Sequence, residues 1–125
     1  MSAAYKEISV KDIQEAVIRD LKNYKALKVK LENIRERKEA SALHIFPVLK
    51  RNESIDELKA KQIERAINDS LDPIERKIIE YKYLNINSRD MTDLEIHMEL
   101  GLKKGKYYIK KKEAIFQLAK ALGII

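Results

Sequence analysis

Apolar residues in the first third of the chain recur in alternating steps of three and four, which is the period of one helix face. Ser9, with Asp12 three residues later, can cap this helix at its start. One polar gap, at Asp20, interrupts the stripe. Because the stripe is long and narrow, it resembles the edge of a coiled coil more than the face of a large core. Its positions are Val10, Ile13, Val17, Tyr24, Leu27, Leu31 and Ile34.

Such a stripe needs a partner helix, and the sequence leaves two alternatives open. One is the helix after Asn52 of the same chain, and the other is a second copy of the chain. The polar gap favours the second copy, because a polar residue in a seam commonly sets the register of a coiled coil. We therefore expect a homo-oligomer, most simply a dimer. The residues expected to form its contact are Ile13, Val17, Tyr24, Leu27, Leu31 and Ile34.

The middle of the chain contains a second predicted helix. Pro47 stops or kinks the chain before it, and the polar residues 50–53 form a connection. Ser54 and Glu57 have the spacing of a capping box, and the helix they begin should end near Ser70. Its apolar positions are Ile55, Leu58, Ile63, Ala66 and Ile67.

Two further start signals follow. Asp72 and Pro73 combine an N-cap with proline at the first helical position. The apolar positions of that helix are Ile74, Ile78, Ile79 and Tyr83. After a turn over residues 85–90, Thr92 and Glu95 form a capping box that begins a helix of about two turns.

The last predicted helix follows a tight turn at Leu100, Gly101 and Leu102. Glycine at this point can end a helix in the left-handed conformation, and Leu102 can fold back to bury the corner. The next helix runs from about Lys103 to Leu122, so the segment is typical of a helix-turn-helix. Its inward side is expected to carry Tyr107, Ala114, Ile115, Leu118 and Leu122.

The amino-acid composition predicts the fold class. With 125 residues, three glycines, two prolines and no cysteine, the chain is expected to be all-α and without disulfides. No apolar stretch is long enough to cross a bilayer, so we expect no membrane partner and a cytoplasmic location. The two histidines, His44 and His97, lie in different segments without a metal-ligand pattern. We therefore expect no cofactor and no catalytic role.

The net charge of +6 lies entirely at the end of the chain. Residues 1–102 carry 19 basic and 19 acidic residues, whereas residues 103–125 carry seven lysines against Glu113 alone. This concentration indicates a polyanionic partner. Together with the helix-turn-helix pattern, it makes double-stranded DNA the expected partner.

A recognition helix places its first turns in the major groove, where cationic donors reach guanine acceptors and apolar side chains touch thymine methyl groups. The residues expected to face the bases are Lys104, Gly105, Tyr108 and Ile109. Glycine there would let the backbone approach the duplex closely. Lys111 is expected to lean inward. The expected phosphate contacts, which carry no sequence information, are Lys103, Lys106, Lys110 and Lys112.

Several segments resemble known families. From Leu71 onward, residues 75–76, 78–79, 92–96 and 100–102, with Tyr83, resemble region 4 of the primary bacterial sigma factors. A closer resemblance, from about Tyr24 to the end, is to the ArpU family of phage transcriptional regulators. The segments that carry it are QIERA (62–66), LDP (71–73), MELGL (98–102), YY (107–108), KEAI (112–115) and ALGII (121–125).

The resemblance implies control of late genes in phages and prophages of Gram-positive bacteria, through a DNA-binding part similar to sigma region 4. A regulator that meets RNA polymerase as a sigma-like partner is a further alternative, and it overlaps with this expectation. Three residues depart from the sigma pattern: Lys103 replaces a hydroxyl cap, and Tyr108 and Ile109 replace polar readers. The base sequence that sigma factors read is therefore not carried over.

The sequence thus predicts an association arm, residues 1–52, followed by a four-helix, sigma-region-4-like DNA-binding domain, residues 53–125. An alternative function is a DNA-packaging component of the small-terminase type, which also joins a helix-turn-helix to an oligomerising helix. A dimer on a palindromic or repeated site favours the regulator. A closed ring with weak sequence preference favours packaging.

Overall fold

The computed structural model describes residues 8–46, 53–85 and 89–125, and this part of the chain is all-α, as the sequence predicts. None of its helices is both long and apolar enough to cross a bilayer. In chain order the elements are α1 (Val10–Glu39), a short 3₁₀ helix (Leu43–Ile45), α2 (Glu53–Ser70), α3 (Pro73–Tyr83), α4 (Asp93–Glu99) and α5 (Lys104–Ala121).

Three helices begin at N-caps that the sequence predicts. The side chains of Ser9, Asp72 and Thr92 each accept a hydrogen bond from the backbone N–H three residues later. The carboxylate of that later residue accepts one from the N–H of the cap, so two amides that a helix start leaves without partners are satisfied together. In α2, Ser54 lies inside the helix, which includes Glu53, so the predicted N-cap at Ser54 is wrong.

The ends of α1, α4 and α5 share one left-handed turn. Gly101 and Gly123 take φ values of 66° and 73°, and Ser41 takes the same conformation with φ of 54°. In all three turns the next residue donates its backbone N–H to the carbonyl five residues earlier. Glycine adopts this conformation without steric cost, whereas the Cβ of Ser41 is strained there.

Four helices share one apolar core, which we call the main core. α1 and α2 run antiparallel, since the Tyr24 hydroxyl donates to the Glu64 carboxylate at 2.8 Å and Lys30 pairs with Asp56 at 2.6 Å. α5 packs against both helices, and α3 packs against α1 and α5. The buried residues of the main core are Ile13, Val17, Leu21, Tyr24, Ala60, Ile63, Ala66, Ile67, Leu71, Ile79, Tyr83, Ala114, Ile115, Leu118 and Ala119.

From Ile13 to Tyr24 the α1 stripe is covered by helices of the same chain, whereas Val10, which was also expected in the stripe, is 46% exposed. Leu21 is fully buried and continues the stripe, so the polar gap predicted at Asp20 is wrong. Ile13, Val17 and Tyr24, which we expected to contact a second copy, lie in the main core. Of the two alternatives, a helix of the same chain or a second copy, the structure therefore shows the first for this part of α1.

The boundary predicted at residue 52 does not separate two cores. Leu27 and Leu31, also expected to mediate self-association, pack partly buried against the main core, which draws residues from both sides of that boundary. Ile34 is half-buried. The described part of residues 1–52 is therefore joined to the remainder of the chain through shared packing rather than standing apart as an arm.

A smaller core fixes α4 and the start of α5 on α3. Ile78, Ile96 and Tyr107, one from each helix, are fully buried against one another. Leu100 and Leu102, from the turn between α4 and α5, pack against them. This core holds the inner side of the first turns of α5, so the opposite side of those turns faces outward.

Candidate nucleic-acid interface

The first turn of α5 carries lysines without acidic partners. Lys103, Lys104 and Lys106 are exposed, and none of them forms an ion pair with the described residues. Lys103 is the N-cap, but its side chain makes no capping hydrogen bond, and the first turn contains no acidic residue. Because a helix N-terminus carries partial positive charge, the free protein gathers like charges here, and an anion would relieve their repulsion.

Gly105, Ile109 and Lys112 lie on the outward side of α5. At about 100° per residue they fall within roughly 60° of one another around the helix axis. Ile109 is 61% exposed, and the other two residues are also exposed. A Cβ atom added at Gly105 would meet nothing within 4 Å, so packing within the protein does not require glycine there. This side therefore combines close backbone access with an apolar and a cationic side chain.

Tyr108 lies at the border between the outward side of α5 and α1. Its ring packs edge-on against Tyr107 with the centroids 5.2 Å apart, and the Nζ of Lys111 lies 5.8 Å from its centroid. With Gln14 and Ile18 of α1, it lines a cleft of about 300 Å³. Since Tyr108 is 43% exposed, its neighbours orient the ring while leaving part of it accessible.

Lys110, expected to contact phosphate, is placed in an ion pair instead. Its Nζ lies 2.9 Å from the Oδ2 of Asp72, and its side chain is only 25% exposed. The hydrogen bond to Asp72 raises the pKa of Lys110. The backbone N–H of Glu75 and then the Lys110 ammonium lower the pKa of the Asp72 carboxyl. This pair joins the middle of α5 to the start of α3, so Lys110 positions the helix.

A polar cluster around Asp93 connects α3, α4 and α5. The Tyr107 hydroxyl donates to the Oδ1 of Asp93 at 2.5 Å, and the Nζ of Lys111 lies 3.0 Å from the same oxygen. Lys82 of α3 lies 3.7 Å away. Burial raises the pKa of Asp93, but the hydrogen bonds from Tyr107 and Lys111 and the two positive charges outweigh it, so the pKa is below its usual value. Lys111 thus leans inward, as predicted, and its ammonium group forms an ion pair with Asp93.

The turn before α5 has the geometry that the sequence predicts. Leu100 ends α4, Gly101 takes the left-handed conformation, and Leu102 donates its N–H to the carbonyl of His97 at 2.9 Å. The ring of His97 also contacts this turn, with its Nδ1 3.2 Å from the carbonyl oxygen of Leu102. These contacts fix the direction in which α5 leaves α4.

The structure therefore brings together on one exposed surface all the expected base-facing residues and three of the four expected phosphate contacts. We call this surface the α5 surface; it comprises Lys103, Lys104, Gly105, Lys106, Tyr108, Ile109 and Lys112. Sequence reasoning missed Asp93 and Lys82 beneath it. One signal was present, because a buried tyrosine such as Tyr107 usually needs a hydrogen-bond partner. Comparisons of the chain with protein-family models, curated proteins and solved structures found no match.

Proposed function

We propose that the protein binds double-stranded DNA by placing the α5 surface in the major groove, and that it regulates transcription. The proposal rests on four exposed lysines that have no ion-pair partner among the described residues. They are Lys103, Lys104, Lys106 and Lys112. The helix that carries them is packed into two cores on its opposite side, so the lysines are presented on a rigid support.

The two kinds of DNA contact divide between the residues of the α5 surface. Lys103, Lys106 and Lys112 are assigned to phosphates, where they supply affinity and register. Ile109 and Tyr108 present apolar atoms to the floor of the groove, and Lys104 supplies a donor for guanine. Gly105 lets the α5 backbone approach the bases.

The proposed biological role follows the resemblance to ArpU-family regulators and to sigma region 4. The succession of α3, α4, a glycine turn and α5 is compatible with a sigma-like helix-turn-helix. In this role the protein acts at promoters of phage or prophage late genes in the host cytoplasm and contacts RNA polymerase there. The role is one of binding, with no catalytic step assigned to any residue.

The proposal is tested by selecting duplexes from a random pool and measuring the mass of the selected complex. A defined sequence bound by one or two copies supports the regulator. A closed ring with weak sequence preference supports the packaging alternative instead. Failure to select any duplex, with no salt-dependent binding, contradicts DNA binding altogether.

Lys106→Ala gives a sharper test of the surface, with Lys120→Ala as its control. Both lysines are exposed on α5, about 21 Å apart along the axis. Loss of one phosphate contact should reduce the slope of log affinity against log salt by about 0.9 for Lys106→Ala. The slope should stay at the parent value for Lys120→Ala. Equal slopes for both variants contradict the assigned surface.

A further inference from the structure

One end of the α1–α2 pair projects without a core of its own. We call it the hairpin end; it comprises residues 25–39 of α1 and 53–59 of α2. The last buried residue of α1 is Tyr24, and the first of α2 is Ala60. Leu27 and Leu31 still pack partly buried against the main core, and α1 continues to Glu39, about 12 Å beyond Leu31. Helices in proteins are stabilised mainly by packing of an apolar face, so a projection of this length favours an additional partner.

The two sides of the hairpin end differ in polarity. One side is a groove of mixed charge, lined by Lys28, Leu31, Glu32, Glu57, Ala60, Lys61 and Glu64. Helical rotation places Ile34 of α1 and Ile55 and Leu58 of α2 on the other side. Ile55 and Leu58 were expected in the apolar face of α2, yet they are 53% and 51% exposed. The second side is therefore an apolar strip that the described part of the chain leaves open.

We infer that this strip binds the same strip of a second copy, so that two hairpin ends form a four-helix contact around a two-fold axis. Charge complementarity favours a second copy as this partner. Residues 25–39 carry six basic and three acidic residues, whereas residues 53–59 carry three acidic residues and one basic residue. A two-fold contact can place α1 of one copy beside α2 of the other, so that opposite charges meet across it.

The same complementarity already operates within one chain. At the hairpin end Lys30 pairs with Asp56 at 2.6 Å, and Lys38 pairs with Glu53 at 3.0 Å. These pairs hold α1 and α2 together and keep the apolar strip in one piece. Because each copy contributes only a few apolar side chains, the contact is weaker than an obligate dimer interface.

This inference does not depend on DNA binding, and its test uses protein alone. The full chain should sediment with twice its 14.6 kDa mass as concentration rises. The double variant Ile55→Glu and Leu58→Glu should stay a monomer over the same range. Because both side chains are already exposed, circular dichroism should show unchanged helix content. Leu94→Glu, at a residue 61% exposed on α4, is the control and should dimerise like the parent.

Cross-linking locates the contact directly. The chain contains no cysteine, so Ile34→Cys on α1 and Leu58→Cys on α2 each introduce a single thiol. Because the contact places α1 of one copy beside α2 of the other, oxidation of a mixture of these two variants should join them, whereas a mixture of Ile34→Cys and Leu94→Cys should give little covalent dimer. A parent that stays monomeric at every concentration overturns the inference. A dimer that persists in the double glutamate variant also overturns it, because the contact then lies elsewhere. DNA binding to a single half-site, measured separately, should survive in the monomeric variant.

Discussion

Replacing Tyr107 by phenylalanine should measure how strongly the Asp93 cluster holds α5 on α4. Tyr107 is fully buried, and its hydroxyl donates to the Asp93 carboxylate at 2.5 Å. Phenylalanine keeps the ring and its packing, so the change removes one hydrogen bond to a charged acceptor and leaves only a very small space. Such bonds contribute about 1.5–3 kcal/mol, and we expect the free energy of unfolding to fall by that amount.

Tyr108→Phe is the matched control on the neighbouring residue. The hydroxyl of Tyr108 makes no hydrogen bond with the described residues, and the ring is 43% exposed. Its removal should change the free energy of unfolding by less than about 0.5 kcal/mol. Urea unfolding followed by far-ultraviolet circular dichroism measures both variants. Equal losses in the two variants would refute the reasoning.

The pH dependence provides a second readout of the same bond. The hydrogen bonds to Asp93 keep its folded pKa below its unfolded value, so they stabilise the protein above that unfolded value, about 4. This stabilisation is lost as the pH falls through the folded pKa. The difference in stability between the parent and Tyr107→Phe should therefore narrow below about pH 4. If the difference in the free energy of unfolding between the parent and Tyr107→Phe stays constant on acidification, the charge of Asp93 does not cause that difference.

Four further predictions concern backbone conformation and surface charge. Ser41→Gly should raise the free energy of unfolding by about 0.5–1 kcal/mol, measured in urea, because it relieves a positive φ. Gly101→Ala should lower it by about 1 kcal/mol for the opposite reason, whereas Gly105→Ala should raise it by up to about 1 kcal/mol yet weaken DNA binding. The hydrogen bonds from the Arg89 guanidinium and then from the backbone and hydroxyl of Thr92 lower the pKa of Glu95 to about 2 from 4.5, so the stability that these bonds contribute is complete above pH 4.5 and lost toward pH 2. The melting temperature of Glu95→Gln should therefore change less between pH 4.5 and pH 2 than that of the parent.

The elements could be predicted because their signals are local. The caps at Ser9, Asp72 and Thr92 and the turn at Gly101 depend on residues only three to five apart in the chain. The partner of α1 could not be predicted in this way. A helical period shows that one face is apolar, but either α2 or a second copy can cover such a face. The misplaced polar gap at Asp20 arose from the same limit, since only packing shows that Leu21 carries the stripe.

The lysines of α5 show why the site could be predicted only in part. Their outward or inward direction follows from helical rotation, but their partners lie 38 residues away for Lys110 and 18 for Lys111. Those two lysines are neutralised by Asp72 and Asp93 and hold α5 in place. The remaining lysines of the first turn repel one another and the positive end of the helix, an arrangement that lowers stability in the free protein. Neutralising one of them should therefore stabilise the free protein slightly while weakening its DNA complex, whereas neutralising Lys110 should destabilise the fold.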